Sequence, residues 1–80
     1  MKLAVVKHLA SNYEVEELEK AESDLTEEKD PQIEIEGEDE GEKLTHAMAA
    51  IWVKKAMQEE DIPLAKAVRN YTQKVRSSIS

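Results

Sequence analysis

Residues Ala47 to Val53 read AMAAIWV, seven apolar residues in succession and the only long apolar run in the chain. They sit in a stretch from about Glu40 to Gln58 filled with Ala, Met, Lys, Gln, Glu and Leu, all strong helix formers. Placed at ~100° per residue, Leu44, Met48 and Ile51 form one stripe. Ala49, Val53 and Ala56 form a second, roughly opposite, which Met57 extends. Trp52 lies between the two, and Lys43 and Lys54 share the remaining polar sector. A surface helix carries a single apolar stripe. A helix apolar on two sides calls for neighbours on two sides, so this segment is expected to be the central helix of the fold. It is too short to cross a bilayer, which takes ~20 apolar residues, and no membrane association is expected. Its alanines allow close approach by a partner helix, from the same chain or from a second copy.

The last helix is expected from about Ile62 to Ser77. Leu64, Val68, Tyr71, Val75 and Ile79 make one stripe, while Lys66, Arg69, Asn70, Gln73 and Lys74 face away. Asp61 reads as its N-cap, with Pro63 in the first turn, where a missing N–H costs little. The intervening turn is short, so the two C-terminal helices should form an antiparallel hairpin.

Toward the N-terminus, KLAVVKHLA (residues 2–10) fits a short helix by Leu3, Val6, Leu9 and Ala10. It also alternates well enough to be a strand over residues 2–7. Ser11 followed by Glu14 has capping-box spacing and predicts a second helix from about Asn12 to Glu28, with Val15, Leu18, Ala21 and Leu25 on its apolar face and a Glu16–Lys20 pair outside. Lys29-Asp30-Pro31 ends it. QIEIE (residues 32–36) alternates as one short strand would, or serves as an extended loop pinning Ile33 and Ile35 on the helices. An acidic, Gly-spaced loop, about 36–42, leads into the central helix. The expected fold is all-α: one domain over residues 1–80, a small three- to four-helix bundle with a C-terminal antiparallel hairpin and room for one short strand at 32–36. The alternative is α+β, with residues 2–7 as a strand.

Eighty residues bury a modest core. There is no Phe, one Trp, and no Cys to staple the fold or perform thiol chemistry. Small cores without staples gain stability by association, which favours a homodimer. No signal-peptide pattern is present, and the cytoplasm is the expected compartment. The net charge of −7 divides into −11 over residues 1–42 and +4 over residues 43–80. Two halves that complement each other within one fold are the simplest reading of that division.

Catalytic and metal chemistry find little support. His8 and His46 are the only histidines. Glu42 and His46, at i and i+4, share a helix face, but two ligands fall short of the four a structural site wants. A Glu-x-x-His pair of the diiron bundles would need Glu at position 43, which is Lys43. EIEGEDEGE (residues 34–42) does not keep the register of a calcium loop. No P-loop, GxGxxG or GxSxG occurs. No enzyme activity and no cofactor are expected. Two surfaces remain as candidates: Met48, Trp52 and Met57 as an adaptable apolar contact surface, and Lys66, Arg69, Lys74 and Arg76 as a basic face on the last helix. The first implies a non-enzymatic protein–protein interaction or accessory module. The second implies a small nucleic-acid-associated regulator, against which the overall acidity counts.

The opening MKLAVVKHL and the stretch AAIWVKKAMQEEDIPLAKAVRNYTQKVRSSI resemble a family of short bacterial proteins of unknown function. The resemblance rests on the opening and, in the C-terminal half, on Lys55, Met57, Ala67, Tyr71, Val75, Ser78 and Ile79. Residues 11–40 match less well. The resemblance implies a compact helical protein without an established activity. It also implies an association with thioredoxin and peroxiredoxin neighbours, hence a thioredoxin-type redox protein as one expected partner, beside an unidentified protein partner.

Overall fold

The structure, a computed structural model, describes residues 1–79 and the side chains of residues 1–77. It is all-α, with four helices: α1 (Leu3–Asn12), α2 (Val15–Thr26), α3 (Glu40–Glu60) and α4 (Leu64–Ile79). No strand occurs among the described residues, at 2–7 or at 32–36. The N-terminal segment is helical because its buried residues, Val5, Val6, Leu9 and Ala10, fall on one face at helical spacing. Leu3, expected on that face, is 38% exposed, and Val5 takes its place.

The break between α1 and α2 lies later than Ser11, which is inside α1. Asn12 ends the helix by donating its side-chain amide to the His8 carbonyl at 2.8 Å. The capping box belongs to Glu14 and Glu17, whose carboxylate accepts the Glu14 N–H at 3.0 Å. Lys20 pairs with Asp24 at 3.7 Å rather than with Glu16. Leu18, Ala21 and Leu25 are buried as expected. The helix stops two residues short of the predicted Glu28, and the cause is not Pro31. Glu28 adopts a left-handed conformation with φ 61°. Its N–H reaches the Leu25 carbonyl, and the Lys29 N–H reaches that of Asp24 at 2.7 Å. These two bonds define a Schellman closure. The chain then runs irregularly to Asp39, with Ile35 buried and Ile33 partly buried against the core.

Asp39 caps α3 through its side chain, which accepts the Glu42 N–H at 2.7 Å. The last three residues of the acidic run, 40–42, are thus the first turn of α3, where negative charge suits the helix dipole. Asp61 does not cap α4. It closes α3 in a left-handed conformation at φ 52°, ψ 52°. The Pro63 carbonyl accepts the first α4 bond, from the Ala67 N–H at 3.0 Å, so Pro63 precedes the helix rather than sitting within its first turn.

α3 is the axis of the molecule. α1, α2 and α4 all pack against it, α1 also touches α4, and α2 and α4 share no substantial contact. Ala47, Ala49, Ala50 and Val53 are fully buried, and their small side chains let three helices approach one. α4 folds back after three residues, bringing Tyr71 to Trp52 with ring centroids 5.5 Å apart. Its predicted stripe holds at Val68, which is buried, and at Leu64 and Tyr71, which are partly buried on the core. The stripe's last residue, Ile79, lies outside the described side chains.

Candidate functional site

The polar sector of α3 is not where the lysines are. Lys54 is half-buried, its ammonium donating to the Ala10 carbonyl at 3.0 Å, so its stem lies along the packed side against α1. Lys43 is likewise half-buried, beside Gly37. The open side of α3 carries Gly41, Thr45, Met48, Lys55 and Glu59, all exposed. Met48, expected in a covered stripe, is 51% exposed, the most open large apolar residue among those described.

Two contacts bracket this open strip. On one side the Lys55 ammonium meets Glu19 of α2 at 3.3 Å. On the other, half-buried Trp52 leans on Tyr71 of α4 at an interplanar angle of 56°. On a helical wheel Met48 falls between Lys55 and Trp52. The strip is therefore the floor of a trough whose walls are α2 and α4. Burial against Trp52 and its surroundings pushes the Tyr71 phenol above its ordinary value, by desolvation of the phenolate. Met57, nine residues beyond Met48, lies on the opposite side of α3, half-buried against the core. The structure brings Met48 and Trp52 together and leaves Met57 out.

The trough walls differ in charge. α2 carries Glu16, Glu17, Glu19, Glu22 and Asp24 against one cation, Lys20. α4 carries Lys66, Arg69, Lys74 and Arg76, all exposed, and no acid. The two halves were expected to neutralise each other within the fold. The Lys55–Glu19 pair does so, but α2 and α4 stand apart on either side of α3. Lys66, Arg69 and Arg76 form no ion pair among the described residues.

His46 is not half of an ion site. It is fully buried, and both ring nitrogens are engaged. Nε2 accepts the Lys2 N–H at 2.9 Å. Nδ1 must then carry the proton, and it donates to the Glu36 carbonyl at 2.7 Å. Glu42 is occupied as well, accepting the Glu38 N–H at 2.9 Å. Among the described residues no group of three or more His, Asp or Glu is placed to hold a metal, and no helix is long and apolar enough to cross a membrane.

A second concavity, of about 420 Å³, lies between α1 and the segment around Ile35. His8, Tyr13, Glu34 and Glu36 line it, over Ala4, Val5 and Leu9. Sequence reading passed over it, since its two sides lie more than twenty residues apart. The one local signal was the i, i+4 spacing of His8 and Asn12.

Residues 1–80 match the family of unknown function DUF6952, and the chain belongs to that family. No curated protein and no solved structure shows significant similarity to it.

Proposed function

We propose that this family member is a non-enzymatic protein-interaction module of the cytoplasm, which docks through the α3 trough and takes a second copy of itself as its first partner. The observation that carries the reading is the open floor: Met48, beside the only tryptophan, is 51% exposed, more than Met1 or Leu3, the other open large apolar residues among those described. Methionine and tryptophan are favoured at such contacts, one for its adaptability and the other for its area.

The walls argue for the occupant. A two-fold dimer sets the same patch against itself. Laid trough to trough, the acidic α2 of each copy can face the basic α4 of the other, so both rims are attractive. Any association that places α4 against α4 instead opposes cations with cations.

Charge exchange tests this directly. One variant carries Glu16→Lys and Glu19→Lys, and another carries Lys66→Glu and Lys74→Glu. By light scattering and sedimentation the wild type should dimerise, each variant alone should associate at least tenfold more weakly, and their equimolar mixture should recover the dimer. A monomeric wild type at roughly millimolar concentration would overturn the self-association. A dimer indifferent to both exchanges would overturn the trough as its interface.

A second reading rests on the four exposed cations of α4. As a nucleic-acid contact they would give binding that weakens steeply with salt. Mobility shifts with random duplex and single strands at low salt separate the two: on this second reading Lys66→Glu, Lys74→Glu loses nucleic acid, whereas Glu16→Lys, Glu19→Lys, which keeps the basic α4, retains it.

A further inference from the structure

We propose that the cleft between α1 and the Ile35 segment is a binding site for a guanidinium group borne on an aliphatic chain. It is independent of the trough, which lies on α3 between α2 and α4. Its volume, about 420 Å³, is within the range of small-ligand sites.

Both sides of the cleft are held from behind. On one side, buried Val5 and Leu9 fix α1. On the other, Ile35 is 4% exposed and the Glu36 carbonyl is bonded to buried His46. Glu34 and Glu36 flank buried Ile35, and both line the cleft. Both are exposed, and neither forms an ion pair among the described residues. Lys2 and Lys43 line the neighbouring groove beyond the same two glutamates without pairing with them.

The remaining wall is aromatic. His8 and Tyr13 meet edge to face, their centroids 6.5 Å apart at 81°. Asn12 fixes the imidazole, its amide lying 3.2 Å from Nδ1 while donating to the His8 carbonyl. The Nδ1 lone pair is thereby used, and Nε2 carries the proton of the neutral ring. A metal ion would need that nitrogen bare, and the two carboxylates alone are too few. Two carboxylates beside aromatic faces suit a planar cation with several donors, which ammonium is not. The floor of Ala4, Val5 and Leu9 suits the methylenes that follow it.

Agmatine titrated into the full chain, followed by NMR, is the test. It should saturate, shift the His8 and Tyr13 ring signals, and bind at least tenfold more weakly to Glu34→Gln, Glu36→Gln, a variant at two exposed positions. Butylamine should bind more weakly than agmatine. The tripeptide Ala-Arg-Ala identifies the source: tighter binding than agmatine assigns the site to an arginine side chain of a protein, weaker binding to a free small molecule. Absence of saturable ring shifts, equal affinity in the double variant, or equal affinity for butylamine overturns the proposal.

Discussion

His46 joins three parts of the chain at one point: the N-terminus through Lys2, the irregular segment through Glu36, and α3, on which it sits. A neutral ring is required, since a proton on Nε2 would confront the Lys2 N–H. Replacing His46 with Ala strands the part-buried Lys2 N–H and Glu36 carbonyl and opens a void where a fully buried ring stood. The expected loss is about 3 kcal/mol in chemical denaturation, with faster amide exchange at Lys2. His46→Gln, which keeps a donor and an acceptor, should lose less. Gly37 is constrained by contact. A Cβ there would stand 2.9 Å from the Lys43 backbone nitrogen, so Gly37→Ala should cost roughly 1–2 kcal/mol. Tyr71 gives the pH dependence. Its folded phenol titrates above the unfolded value of about 10, so the folded state holds the proton longer. Its contribution is complete below that value and is lost as pH rises through the folded one. The stability difference between wild type and Tyr71→Phe, followed through alkaline denaturation, should therefore shift against the wild type above about pH 10.

At the scale of elements, periodicity located the helices and misplaced their ends. Leu18, Ala21 and Leu25 on α2, and Ala49, Val53 and Ala56 on α3, needed only their own spacing to be read. The ends depend on bonds and backbone conformations that composition does not display. Glu28 and Asp61 both occupy left-handed positions usually given to glycine, so no glycine marked either stop, and Pro31 and Pro63 drew the boundaries toward themselves. The same observation yields a prediction. Glu28→Gly and Asp61→Gly relieve the Cβ strain of that conformation, partly offset by a more flexible unfolded chain. Each should raise the free energy of unfolding by about 0.5 kcal/mol, seen as a higher denaturation midpoint. Glycine at Glu27, which sits at φ −89°, should not. A gain at Glu27 equal to that at Glu28 would remove the conformational explanation.

For the whole molecule, the sequence placed α3 at the centre but not its open side. Lysine was read as polar surface, yet Lys54 lies against α1 with its charge carried out to the Ala10 carbonyl. Met48 was read as core, yet it faces water. Only the positions of α2 and α4 decide which flank of α3 stays bare, and those are set by contacts between residues far apart in the chain. Trp52 stands at the edge of that flank and reports on it. In the monomer its indole is only partly buried, so acrylamide should quench it. When a second copy covers the trough, quenching should fall and emission should move to shorter wavelength as protein concentration rises. Met48→Lys places a charge where the two floors would meet. At an exposed position it should change monomer stability by less than about 0.5 kcal/mol while abolishing the concentration dependence. If wild-type emission and quenching stay constant across the range in which scattering detects dimers, the copies meet elsewhere, and α3 remains open in the assembled protein.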